Sequence, residues 1–168
     1  MGKIPPMPVT PEDLLARFAK IGVETTTQYH PPVFTVADSK ALRGDLPGGH
    51  CKSLFLKDKK GALWLVVALE DRAIDMKELR RRIGAATLSF GKAELLAEVL
   101  GVTPGAVTPF GLINDSEKRV TVVLDADMMA LDQLNYHPLT NEATTTITSR
   151  GLLAFIASTG REARIVAL

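Results

Sequence analysis

Three stretches combine side chains that can bind or move charge with backbone of unusual freedom. They are His50-Cys51-Lys52, Gly105-Ala106-Val107-Thr108-Pro109, and Asn135-Tyr136-His137-Pro138-Leu139-Thr140-Asn141. A lysine ammonium is a compact point charge that can grip a phosphate. A glycine within a loop lets the backbone approach a ligand closely and aim its N–H groups at a developing oxyanion. Histidine titrates near neutrality and serves as donor or acceptor, and Pro138 biases His137 towards extended backbone. Each has a plainer alternative: Lys52 as a solvated strand-end charge, the Gly105 loop as a simple connection, His137 and His30 as hydrogen-bonded structural residues. The three stretches are treated together as one candidate site.

Familiar nucleophile signatures are missing from the sequence, which holds no Gly-x-Ser-x-Gly elbow, no His-Glu-x-x-His and no Walker-type phosphate loop. The single cysteine, Cys51, cannot form an internal disulfide, and with three histidines no closed zinc site is evident. No metal and no cofactor are expected. If 51–57 is a strand, His50 and Lys52 face one side while Cys51 and Ser53 face the other. Cys51 and Lys52 then cannot serve one pocket, and Cys51 reads as a small buried hydrophobe.

These residues need a scaffold, and 168 residues at 46% apolar composition suffice for a real core. A single domain over 1–168 is the expectation. Lys and Arg total 20 against 19 Asp and Glu, which excludes a global positive field that would bind any nucleic acid. An RNA partner must be held locally. No apolar run has the length of a membrane span and no signal-type h-region opens the chain, so a cytoplasmic protein is expected.

Thr10-Pro11-Glu12-Asp13 predicts a helix start, with Leu14, Phe18 and Ile21 on one face. A threonine-rich strand is predicted over 23–29, stopped by His30-Pro31-Pro32, with a short helix near Thr35 and Asp38 and a Gly/Pro loop over 43–50. Strands 51–57 and 62–69 form a hairpin through Asp58-Lys59-Lys60-Gly61. Asp75 and Glu78 have capping-box spacing for a helix ending before Gly84, and a second helix over 93–100 stops at Gly101. Further on, a loop over 101–109 precedes a strand over 119–124, 135–141 is extended or looped, and 142–148 is a strand. Ser149 caps a helix running to Gly160, and a short strand over 165–168 closes the chain. Helices and strands are interspersed without regular alternation or internal repeat, which predicts an α+β (mixed α/β) domain around one central sheet.

The chain resembles the YbaK/prolyl-tRNA synthetase-associated editing family, nearest its free-standing Ala-tRNA(Pro) deacylase branch. The resemblance covers nearly the whole chain. It rests on His30-Pro31-Pro32-Val33-Phe34-Thr35, on Lys52 within Lys52-Ser53-Leu54-Phe55-Leu56-Lys57-Asp58-Lys59-Lys60, on Pro104-Gly105-Ala106-Val107-Thr108-Pro109-Phe110-Gly111-Leu112, and on His137-Pro138-Leu139 followed by Asn141-Glu142-Ala143-Thr144-Thr145-Thr146. Ser53 departs from it, since asparagine is expected there in this branch.

The resemblance implies a central mixed, barrel-like sheet flanked by helices, and a hydrolase acting on the acylated 3′ end of tRNA(Pro). Lys52 contacts the terminal phosphate, the Gly105 loop surrounds the ester carbonyl, and His137 holds the terminal adenosine or substrate. His30, Ala106, Val107, Thr108, Pro109, Asn135 and Asn141 complete the expected substrate-binding set. The family is thought to activate water through the vicinal ribose hydroxyl, which fits the lack of a protein base. The resemblance also implies prolyl-tRNA synthetase as a transient partner. Three rivals stay open: a deacylase for cysteine or serine on tRNA, a non-catalytic tRNA-binding module, and a small-molecule esterase. The tip Lys59-Lys60 and the run Arg80-Arg81-Arg82 offer local RNA contacts, but also read as a charged turn and a solvated helix face.

Overall fold

The computed structural model describes residues 8–31 and 47–168. The expected helix near Thr35 and Asp38, part of the 43–50 loop and the end of the His30 to Thr35 motif lie outside them. Helix α1 (Pro11–Lys20) begins as its sequence dictates: Thr10 Oγ1 accepts from Asp13 N–H, the Asp13 carboxylate accepts from Thr10 N–H, and Pro11 occupies the first turn. Strands β1 (Thr25–Tyr29), β2 (Gly49–Asp58) and β3 (Leu63–Leu69) follow. Next come α2 (Met76–Ile83), β4 (Leu88–Phe90) and α3 (Ala93–Leu100). Two 3₁₀ turns, Pro104–Ala106 and Pro109–Asn114, lead to β5 (Val120–Asp125) and the short α4 (Ala126–Met129). The order closes with β6 (Gln133–Tyr136), β7 (Ala143–Thr148), α5 (Ser149–Ser158) and β8 (Arg164–Val166).

The strands form one mixed sheet of order β1-β7-β6-β2-β3-β5-β8, with β4 added to β2. The hairpin is as predicted, pairing Lys57 with Leu63 and Cys51 with Leu69. Its turn is held by the buried Asp58 carboxylate, which accepts from Lys60 N–H, Ala62 N–H and the Trp64 indole. Strand β3 reads as an unbroken apolar run because both of its faces are covered. Leu63, Leu65 and Val67 enter the main core, while Trp64 and Val66 join a smaller core under α2.

Several boundaries differ from expectation. Gly49 and His50 are strand rather than loop, because they pair in parallel with Leu134 and Asn135 of β6. Within the stretch expected to be extended or looped, Asn135 and Tyr136 end a strand and 137–141 are loop, and Glu142, expected to begin a strand, belongs to that loop. The cap of α5 is Thr148, whose hydroxyl accepts from Gly151 N–H, and not Ser149. A tight aromatic group backs β6: Phe110 lies 5.0 Å from Phe18, 5.4 Å from Phe155 and 5.6 Å from Tyr136, ring centre to ring centre. Such edge-to-face contacts between buried rings anchor the residue immediately before His137.

Candidate active site

The parallel pairing of β2 with β6 sets His50 opposite Asn135. Lys52 shares the His50 face by strand alternation, and His137, just past the end of β6, has its ring beside His30, which bonds Thr144 on the same face as Thr146, the partner of Asn135. Cys51 turns the other way and packs against the main core, as strand alternation predicts. Burial pushes its thiol up to about 11, so at neutral pH it stays protonated and a poor nucleophile.

Lys52 is half-buried, and its ammonium donates to the Arg72 backbone carbonyl. One of its three donors is thereby fixed. Arg72 is itself anchored: Nη1 meets Asp127 at 2.9 Å, Nε lies 3.4 Å from the fully buried Asp125 carboxylate, and Nη2 donates to the Leu168 carbonyl. The segment after β3 is thus tied to the end of β5, and the lysine head is tied to that segment.

His137 follows β6 and lies in contact with the Ala143 carbonyl, 3.0 Å from Nδ1. A carbonyl only accepts, so Nδ1 carries the proton and the neutral ring keeps a lone pair on Nε2. Burial first, and then the neighbouring His30, hold the His137 pKa below its ordinary 6.5 against the opposing Ala143 contact. The His30 ring lies 6.5 Å from that of His137, with Nδ1 2.8 Å from the Pro31 carbonyl and Nε2 2.8 Å from Thr144 Oγ1. The two histidines and Thr144 therefore form one polar corner where β1 and β7 pair.

The loop leaving His137 turns sharply. Leu139 N–H reaches back to the His137 carbonyl at 3.0 Å, and Leu139 sits at φ +67°, a left-handed conformation costing a non-glycine residue on the order of 1–3 kcal/mol. Leu139 also packs against the main core, which holds the turn in place. The turn delivers Asn141 to the Gly105 loop, where a Cβ added to Gly105 would lie 3.4 Å from Asn141 Nδ2. Gly105 is exposed, and a Cβ there would only touch the Asn141 amide at ordinary contact distance.

The structure therefore brings His137, His30 and Lys52 to one side of the sheet, and Gly105 to Asn141. The other expected residues are turned wholly or partly inward. Ala106 is in the core, Pro109 is buried, Val107 is half-buried against the core, and Thr108 is buried with its hydroxyl accepting from Phe110 N–H. Asn135 is buried and fully engaged: its amide donates to the Pro47 and Gly49 carbonyls at 2.7 and 3.2 Å and accepts from Thr146 Oγ1 at 2.6 Å. It locks β6 to the start of β2 and to β7. Beyond the expected site residues stand Thr144, legible in the sequence only as part of the threonine run after His137, and Arg72 with Asp125; Arg72 meets Lys52 through its carbonyl, which its residue type does not signal. Among the described residues no group of three or more His, Cys, Asp or Glu side chains is placed to hold a metal, and no helix is long and apolar enough to cross a membrane.

The buried neutral ring gives a test in pH. A lowered His137 pKa means that the unfolded chain binds more protons between the folded value and 6.5, so stability rises with pH in that window and is lost as pH falls through it. An NMR titration of His137 should give a midpoint below 6.5, and His137→Gln should remove the corresponding slope from unfolding free energy against pH. A midpoint above 6.5 contradicts the neutral, lone-pair-bearing ring.

The family model for the aminoacyl-tRNA editing domain matches residues 30–155. The prolyl-tRNA synthetase associated domain-containing protein 1 of Danio rerio is 42% identical over 90% of this chain and 85% of its own length. The prolyl-tRNA editing protein ProX of Acetoanaerobium sticklandii is 32% identical over 92% of this chain and 95% of its own. A crystal structure of a candidate trans-editing enzyme for prolyl tRNA synthetase shares the fold, with a TM-score of 0.70 at 20% identity over 94% of this chain and 96% of that one. The matched span begins at His30 and takes in Lys52, Gly105 and His137, and by that span and these relatives the chain belongs to the aminoacyl-tRNA editing domain family.

Proposed function

We propose that residues 1–168 act as one editing domain that hydrolyses the ester of alanine mischarged onto tRNA(Pro). The observation that carries this reading is the common placement of the half-buried Lys52 and the neutral His137 on one side of the sheet. In this reading the Lys52 ammonium, steadied by the Arg72 carbonyl, grips the terminal phosphate. His137 Nε2 accepts a hydrogen bond from the terminal adenosine, and the exposed backbone at Gly105 surrounds and polarises the ester carbonyl. Asn141 and His30 border the same ligand, while Val107, Thr108, Pro109, Ala106 and Asn135 hold its walls in place.

An aminoacyl ester is already a reactive acyl group, so positioning and charge stabilisation can carry the acceleration. Water, activated by the vicinal ribose hydroxyl, attacks the carbonyl carbon, and the ester C–O bond breaks to release alanine and the ribose hydroxyl. A thiol held near 11 at Cys51 agrees with a reaction that needs no enzyme nucleophile. The specificity has a physical rationale: a synthetase pocket shaped for proline excludes the smaller alanine poorly, because each missing methylene is worth only about 1–3 kcal/mol. A second, smaller pocket rejects proline by size. A transient encounter with prolyl-tRNA synthetase would hand over the mischarged tRNA.

The test is a parallel deacylation panel on Ala-tRNA(Pro), Pro-tRNA(Pro), Cys-tRNA(Pro) and Ala-tRNA(Ala). The expected order has Ala-tRNA(Pro) cleaved fastest and Pro-tRNA(Pro) left intact. Faster release of cysteine, or equal release from both alanylated tRNAs, would discard the proposed specificity.

A further inference from the structure

Strand β2 has three partners. β3 runs along one edge, while the other edge is shared between β6 at Gly49 and His50 and β4 at Leu56 to Asp58. The proposed site lies at the β6 end. At the β4 end, a groove of about 630 Å³ opens between the hairpin tip, β4 and the start of α3, lined by Lys57, Lys59, Phe90, Lys92, Glu94 and Glu98 among others. Phe90 is 65% exposed, although a ring of that size is ordinarily buried. Gly91 behind it presses against the core so closely that an added Cβ would fall 2.4 Å from the Phe55 ring. The chain is thus seated flush on the core just where Phe90 is turned out.

The charges around this ring are one-sided. Lys57, Lys59 and Lys92 are exposed, and none is in an ion pair among the described residues. Of the nearby carboxylates, Glu98 is paired with Arg119 at 2.9 Å and Asp58 is buried in its turn. Among the described residues that line the groove, Glu94 is the carboxylate left to oppose three ammoniums. The arginine run on α2 is different: Arg80 donates to Thr87, while Arg81 and Arg82 pair with Glu78.

Free cations beside an exposed aromatic face match the chemistry that binds a nucleic-acid strand, with phosphates on the lysines and a base stacked on the ring. Along β2 the groove lies about four strand residues, or about 13 Å, from Lys52, but Leu54 and Leu56, on the Lys52 face, pack into the core under α2, and Lys57 points to the opposite face. An RNA touching both places passes over the sheet edge, and at ~3.4 Å per stacked nucleotide that path exceeds three nucleotides.

We infer that the Lys57, Lys59, Phe90 and Lys92 groove is a second RNA contact, which takes the phosphodiester backbone beyond the last three nucleotides of the 3′ end and stacks a base on Phe90. This rests on the tRNA-editing reading above. It predicts that Phe90→Ser and the double variant K59A/K92A bind uncharged tRNA(Pro) about tenfold more weakly. In K59A/K92A the slope of log affinity against log salt should also fall by about one for each lost phosphate contact. Turnover of an alanylated CCA trinucleotide, too short to reach the groove, stays at the wild-type rate in both variants. All three positions are exposed, so melting temperatures should be unchanged.

Wild-type affinity and an unchanged salt slope in the variants overturn the groove while leaving the editing reading in place. Slower trinucleotide turnover in the variants also overturns it, by assigning these residues to the reaction site. Wild-type protein that neither binds tRNA nor shortens the ester lifetime removes both readings together.

Discussion

Replacing Lys52 by alanine lowers kcat/KM for ester hydrolysis by about 100-fold, the scale of losing one charge-assisted, preorganised contact to the substrate. The ammonium is held by a backbone carbonyl in a half-buried position, so its loss removes a fixed cation that water cannot replace. Lys52→Arg should recover little of the activity, because a planar guanidinium on a longer stem does not fit a point-charge position. Cys51→Ser, by contrast, should stay near the wild-type rate, since its thiol is protonated and faces the core. Single-turnover deacylation of the three variants decides the matter. Full activity in Lys52→Ala would remove Lys52 from the site.

The largest stability effect is expected at Asp115, just before β5. Its buried carboxylate accepts from Arg119 N–H and Val120 N–H and pairs with Arg161 at 2.6 Å, and the same guanidinium donates to the Asp115 carbonyl, also at 2.6 Å. Arg161 is only 8% exposed. Asp115→Ala leaves that guanidinium buried without its counter-charge, which costs about 3–5 kcal/mol. For a chain of this length that corresponds to roughly 10 °C in Tm. Combining it with Arg161→Met should restore part of the loss, because the uncompensated charge leaves with the arginine. A loss below about 1 kcal/mol in urea unfolding would show that water reaches Arg161 and that the pair is not truly buried.

What the sequence makes legible here is local. Thr10 and Pro11 announce a helix because the cap, the fixed φ and the first-turn acids all act within four residues. Asp58 to Gly61 announces a hairpin for the same reason, and once β2 is a strand the opposite facing of Lys52 and Cys51 follows from alternation alone. Strands β4 and β6 are only three and four residues long, too short for a hydrophobic period to emerge. The β6 segment is polar as well, because Asn135 is satisfied by carbonyls more than 80 residues away in sequence. The parallel pairing that brings His137 to the side of Lys52 joins segments just as distant, and no local propensity encodes it. The candidate site was therefore legible only as a set of residue types, while its geometry needed the fold. Asn135 shows the difference: a polar residue in the right stretch proves to be an internal brace.

The deciding quantity is the lifetime of one ester bond. Ala-tRNA(Pro) incubated with excess protein under single-turnover conditions should lose its alanyl ester far faster than in buffer alone, with the acceleration greatly reduced in Lys52→Ala. An ester that decays at the buffer rate while the tRNA is demonstrably bound would contradict the account and leave a binding module in its place.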